Sequence, residues 1–326
     1  MTDRIPPSAW RARVLSMLLL ALCALPGLAE NGRLLESVPV KLSEEDLVLL
    51  EKRDPMIRFW LPGIETHAIT YESDGLKVKG YMVAPKEGAR LPVVIYNRGG
   101  SRDFGQLNDR SAALFLGPVA SWGYVVVASQ YRGNAGGEGK EEFGGAEIAD
   151  VLNLLPLIDA LPKADPSRIG MFGWSRGGMM TYLALTRTDR IAAAVVGAGV
   201  ADQFDTVKRR PEMETGVLAQ LVPDYAEKKN EALTQRSAVL WPEKLNKKTP
   251  ILLLHGSADW RVHPEQAFRM AEGLYKTNHP FRFVFFEGGD HGLTEHEAEV
   301  DRLVKDWLDR YVRDRKPWPS LEPHGQ

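Results

Sequence analysis

Beyond residue 75 the hydrophobic positions of the chain switch repeatedly between a short and a long period. LKVKGYMVAP (76–85) alternates as a half-buried strand does, leaving a turn at Ser73-Asp74-Gly75, and LPVVIYN (91–97) is an unbroken apolar run that stops before Gly99-Gly100. YVVVASQY (124–131), RIGMFGW (168–174), AAAVVGAG (192–199), PILLLHG (250–256) and FRFVFFEG (281–288) read as further strands. Between them EIADVLNLLPLIDAL (147–161) has the i, i+3, i+4 spacing of an amphipathic helix, and GGMMTYLALTR (177–187), PEQAFRMAEGLY (264–275) and EAEVDRLVKDWLDRYV (297–312) read as further helices. Pro156 is expected to kink the first of these. Strands alternating with helices predict an α/β protein with a mainly parallel sheet covered on both faces.

One long interval breaks the alternation. Residues 201–248 are mixed and partly helical between two strands, and read as an insertion near the rim of the sheet, either a lid or helices packed on its flank. The remainder of residues 30–326 is expected to form one domain with it, and the KPWPSLEPHGQ tail (316–326) is expected to be loose.

Residues 1–29 follow a different logic. Arg4, Arg11 and Arg13 precede an apolar stretch of roughly 16 residues that ends in Pro26-Gly27-Leu28-Ala29, the pattern of a secretory signal peptide. The stretch is shorter than the roughly 20 residues a spanning helix needs, so cleavage after Ala29 and a periplasmic or secreted product are expected. Cys23, the one cysteine, lies in this leader, so the mature chain would have neither disulfides nor a thiol nucleophile. At 44% hydrophobic, with 41 basic and 43 acidic residues interspersed, the chain can bury a full core and shows no basic face for nucleic acid.

Candidate chemistry begins at Gly173-Trp174-Ser175-Arg176-Gly177, a G-x-S-x-G pattern. Five residues match easily by chance, but these sit between a predicted strand and a predicted helix, as a nucleophile elbow requires. The glycines two before and two after the serine let strand and helix close on each other. A serine hydroxyl needs an imidazole base, and the base needs a carboxylate that fixes its tautomer. Asp259 and His291 follow in the expected order, each just beyond a predicted strand. Among the rivals, His255 is expected to be satisfied at a turn, while His263 and His296 fall at or within predicted helices. Asp290 is too close to His291 in sequence to reach its far ring nitrogen, and Glu287 is a substitute acid. Oxyanion donors are expected from the N–H of Arg176, first in its helix, and from the turn after LPVVIYN, with Gly100 the best candidate. Trp174 and Trp260 flank two of these residues and are candidates for a substrate pocket or for ordinary core packing.

Taken together, GWSRGG, HGSADWRV and GGDHGL, with QYRGNAGGEGKEEFGGAEIADV upstream, resemble the catalytic domain of the prolyl-oligopeptidase family of α/β-hydrolases over roughly residues 70–315. The resemblance implies Ser175 as nucleophile, His291 as base, Asp259 as orienting acid, and structural roles for Tyr131 and Arg132. Two departures stand out. The approximately forty residues between Ala29 and the first anticipated strand cannot build the β-propeller of the family's peptidases, and the usual histidine-glycine-glycine turn reads Arg98-Gly99-Gly100. The paired glutamates that dipeptidyl peptidases use to hold a free amino terminus are not evident either.

The expected activity is therefore hydrolysis of a small ester or peptide/amide substrate, by a peptidase-like enzyme or a carboxylesterase. A non-catalytic binding protein of the same fold is the alternative of another class. RGNAGGEGKEE fails the phosphate-loop pattern at Asn134 and Glu141, and the seven histidines show no metal-binding spacing, so no cofactor and no metal are expected.

Overall fold

The computed structural model describes residues 30–325, so the leader expectation for 1–29 lies outside the described residues. Its strands are β1 (Leu34–Pro39), β2 (Ile64–Ser73), β3 (Leu76–Pro85), β4 (Leu91–Asn97), β5 (Val125–Ser129), β6 (Ala164–Trp174), β7 (Ile191–Gly197), β8 (Ile251–Gly256) and β9 (Phe281–Phe286). They form one sheet in the order β1-β2-β3-β5-β4-β6-β7-β8-β9. The six strands from β5 to β9 in that order run parallel, and β1, β2 and β3 add an antiparallel edge through the β3–β5 pair.

The central strands are apolar on both faces because both faces are covered. Val93, Ile95, Val125, Val127, Met171, Ala194, Val196, Ile251 and Leu253 point into one core. Their neighbours Val94, Val126, Ala193, Val195, Leu252 and Leu254 point into the other, as the two-residue period of a strand dictates. Helices Ile148–Leu152, Leu154–Ala160, Arg176–Leu185 and Glu265–Lys276 cover the first face. Helices Asp109–Ser121 and Glu297–Leu308 cover the second.

Three expectations are amended, and of the two readings left open for the insertion the structure shows the packed one. The sheet begins earlier than anticipated: β1 and β2 occupy part of the interval after Ala29; β1 is the exposed edge strand, whereas β2 lies between β1 and β3 and buries Ile69–Ser73 although Thr70, Glu72 and Ser73 are polar. The helix anticipated over 147–161 is two helices, broken at Asn153. Pro156 has no N–H for the carbonyl of Leu152 and its ring crowds that group, so the first helix ends there and Pro156 sits in the opening turn of the second. The insertion is docked on the sheet's flank, with Leu218, Val222, Tyr225, Leu233, Trp241 and Leu245 buried in the first core. The tail is anchored at Trp318, whose ring centroid lies 5.6 Å from Trp307 and 5.2 Å from Tyr311.

Candidate active site

Ser175 joins β6 to the helix Arg176–Leu185 and adopts φ 58°, ψ −122°, a conformation side chains rarely take. Its neighbours leave no alternative. A Cβ on Gly173 would stand 2.1 Å from the Gly177 carbonyl oxygen, and one on Gly177 would stand 1.8 Å from that of Asn97. The Ser175 N–H donates to Gly197 O at 2.9 Å, and its carbonyl accepts from Gly178 N at 3.0 Å and Val200 N at 3.1 Å. Strain at one residue is thus held by packing and hydrogen bonds on every side.

Asp259 follows β8 and His291 follows β9. The two loops are stitched together by Ala258 N donating to Gly289 O at 2.9 Å and Gly288 N donating to Ser257 Oγ at 2.7 Å. His291 Nδ1 lies 2.8 Å from Asp259 Oδ2. The other carboxylate oxygen accepts from the main-chain N–H groups of Arg261 at 2.8 Å and Val262 at 3.0 Å. Burial of Asp259 favours protonation, but hydrogen bonds from His255, His291 and Val262 outweigh it and hold the carboxyl well below the usual carboxylate range. An ionised carboxylate only accepts, so the proton in this hydrogen bond belongs to His291 Nδ1. The lone pair of the neutral ring is then on Nε2. Trp174 Nε1 donates to the His291 carbonyl at 2.8 Å, which ties the histidine loop to the residue preceding Ser175.

The rivals are occupied elsewhere. Asp290 Oδ1 accepts from Gly292 N at 2.9 Å and Thr294 N at 3.0 Å. His296 Nε2 donates to the Glu287 carbonyl at 2.9 Å, and His263 Nδ1 lies 3.9 Å from a Glu265 carboxylate oxygen. His255 is satisfied as expected, donating from Nε2 to Val262 O at 2.9 Å, but the same nitrogen is also 3.3 Å from Asp259 Oδ2. Sequence alone did not reveal that second contact, because it depends on how tightly the turn after β8 folds back.

The turn after β4 also packs on Ser175. A Cβ on Gly99 would lie 3.3 Å from Ser175 Cβ and 3.9 Å from its Oγ, so this backbone packs directly on the serine. Gly100 has φ +69° and a Cβ there would meet Phe104 O at 2.0 Å. The Arg176 N–H opens its helix, where donors have no acceptor within the helix. Beneath the turn lies a buried charged group that sequence analysis missed. Arg176, 2% exposed, pairs with Glu141 and, at 2.6 Å, with Glu147. Its guanidinium carbon sits 4.8 Å from the Tyr131 ring centroid and 4.5 Å from that of Phe143. Tyr131 Oη donates to Arg98 O at 2.9 Å, and Arg132 pairs with buried Asp150 at 2.7 Å, so both serve the scaffold. Trp174 packs partly into the second core, whereas Trp260 is 66% exposed, with Arg261 stacked 4.8 Å from its ring centroid. Among the described residues no three acidic, histidine or cysteine side chains gather as a metal site, and no helix is long and apolar enough to cross a membrane.

The model of the prolyl oligopeptidase family matches residues 111–315. The chain belongs to this family. It is 30% identical over 266 residues to the uncharacterized peptidase YtmA of Bacillus subtilis, covering 80% of this chain and 99% of that protein. It is 29% identical over 295 residues to the uncharacterized peptidase YuxL of the same organism, but spans only 44% of it. The acylaminoacyl peptidase of Pyrococcus horikoshii superposes with a TM-score of 0.68 at 22% identity, over 87% of this chain and 46% of that one, and shows the shared α/β-hydrolase fold. This member of the prolyl oligopeptidase family is a serine hydrolase of the peptidase-like kind.

Proposed function

We propose that the protein hydrolyses a short peptide or a small ester by way of an acyl-enzyme on Ser175. Ser175 Oγ attacks the substrate carbonyl carbon while His291 Nε2 takes its proton, and Asp259 holds the imidazole in the required tautomer. The N–H groups of Arg176 and Gly100 receive the oxyanion of the tetrahedral intermediate. His291 returns the proton to the departing amine or alcohol, and water, activated by the same imidazole, releases the acyl group.

The observation that carries this reading is the 2.8 Å contact between His291 Nδ1 and Asp259 Oδ2, linked through Trp174 to a serine held at φ 58°. Family membership favours a peptide substrate. Comparing hydrolysis of an aminoacyl p-nitroanilide and a short-chain p-nitrophenyl ester by wild type and Ser175→Ala tests it. Loss of about a thousandfold or more in the variant is expected, and the preferred substrate separates peptidase from esterase. Turnover that survives Ser175→Ala contradicts the mechanism, and a wild type inert to both substrates favours a binding role.

We further propose export, with the product periplasmic or secreted, on the strength of the leader pattern in residues 1–29. Amino-terminal sequencing of protein from the expressing cell tests it: a start at Glu30 is expected, and an intact Met1 on cytoplasmic protein contradicts it.

A further inference from the structure

We propose that Arg98 is a positioning residue for the oxyanion pocket. Its guanidinium fixes the Gly99–Gly100 peptide with the Gly100 N–H turned to the Ser175 side of the turn. The inference rests on the acyl-enzyme reading above and assigns a role to the arginine that stands where a histidine was expected.

Arg98 is 1% exposed, and its four hydrogen bonds all go to main-chain carbonyls. Nε and Nη2 hold Gln130 O at 3.2 and 2.9 Å, Nη1 holds Gly99 O at 3.1 Å, and Nη2 makes a longer contact of 3.5 Å to Arg102 O. No carboxylate among the described residues pairs with it. Burial and the nearby Arg176 pull its pKa down to about 10, which leaves it charged at neutral pH. An unpaired buried cation is costly, and an apolar side chain would fill the space more cheaply.

What the guanidinium secures is the direction of one peptide group. In a trans peptide the C=O and N–H point opposite ways, so anchoring Gly99 O on Arg98 turns the Gly100 N–H away from the arginine. Ser175 is the neighbour across the turn, as the close approach of Gly99 to its Cβ and Oγ shows. The next peptide is pinned in the same manner: Arg176 Nη1 donates to Gly100 O at 2.8 Å. Arg176 therefore supplies one oxyanion donor from its main chain and braces the other through its side chain. Arg98 shares the Tyr131 ring with Arg176, at 5.0 and 4.8 Å from its centroid, and Glu141 and Glu147 offset the two cations, so its contribution to the pocket is the fixed direction of the Gly99–Gly100 peptide.

The test compares the full chain as wild type, Arg98→Met and Arg98→Lys with whichever chromogenic substrate wild type cleaves. Three quantities are read: kcat, KM, and the affinity for a trifluoromethyl ketone analogue of that substrate, which forms a tetrahedral oxyanion on the serine. Arg98→Met is expected to lower kcat by about 10²- to 10³-fold with KM within about twofold. Affinity for the ketone should fall in step with kcat/KM. Arg98→Lys, which keeps the charge but gathers its donors on one nitrogen, recovers about tenfold of the lost rate. If Arg98→Met does not fold, Arg98→Gln carries the same three readouts. A folded Met or Gln variant with unchanged kcat, or one in which KM alone moves, overturns the proposal while leaving the Ser175 mechanism standing. A wild type with no Ser175-dependent turnover overturns both.

Discussion

His291 and Asp259 are joined by one hydrogen bond, 2.8 Å from Nδ1 to Oδ2, and the remaining acceptor capacity of the carboxylate is taken by the Arg261 and Val262 N–H groups and by His255. With every other direction filled, the carboxylate has one geometry in which to hold the imidazole. Asp259→Asn is predicted to present an N–H where His291 now donates, favouring the wrong tautomer. The expected loss in kcat is about 10³- to 10⁴-fold. Steady-state kinetics beside circular dichroism checks it, and a folded variant with more than a tenth of wild-type turnover would count against the assignment.

Ser175 stands in conflict with its own backbone at φ 58°, ψ −122°. Ser175→Gly removes the Cβ from that conformation, and is predicted to raise stability by about 1–2 kcal/mol while abolishing hydrolysis. Urea denaturation of the two proteins checks this. A lower midpoint for the glycine variant would mean that the serine is not strained where it sits.

Gly177 allows the nucleophile's helix to reach the end of β4. A Cβ 1.8 Å from Asn97 O cannot be accommodated without parting helix and strand, and Asn97 is itself buried. Gly177→Ala is predicted to cost about 3 kcal/mol or more and to yield little soluble protein. A Tm within about 2 °C of wild type would show that the elbow is looser than its packing implies.

The alternation of apolar periods made the parallel strands legible because burial on both faces leaves no room for polar residues, as at Val93–Ile95 and Ile251–Leu254. The order serine, acid, histidine was legible for a related reason, since each lies directly after such a strand. β1 and β2 escaped notice because residues such as Glu36, His67 and Glu72 interrupt the pattern. The helix Asp109–Ser121 was hidden by Gly117 and Pro118, although an Asn108/Ser111 capping box starts it. The buried Arg98, Arg176, Glu141 and Glu147 could not be grouped from sequence, because they come from three separate segments that only the tertiary fold brings together. In the sequence Glu141 stands out only as a mismatch to a phosphate loop.

His279 provides a pH-dependent element remote from the site. It is 2% exposed, donates from Nε2 to Thr249 O at 2.9 Å, and its Nδ1 has no partner among the described residues. Burial lowers its pKa from 6.5 to about 4. Between these values the unfolded chain binds a proton that the folded chain refuses, so stability falls as pH drops from 6.5 towards 4 and is insensitive to this group above that window. The contribution is on the order of 2–3 kcal/mol. Urea midpoints at pH 7 and 4.5 check it: His279→Gln is predicted to show a smaller drop than wild type, and an equal drop would assign the effect to other groups.

The most direct measurement is to treat the wild type and His291→Ala with a fluorophosphonate and locate the adduct by peptide mass spectrometry. Stoichiometric labelling of Ser175 in the wild type, slowed by at least about a hundredfold in His291→Ala, is the predicted result, because only an activated hydroxyl reacts at that rate. A wild type left unmodified, or one modified at Ser175 equally fast without His291, would contradict the account.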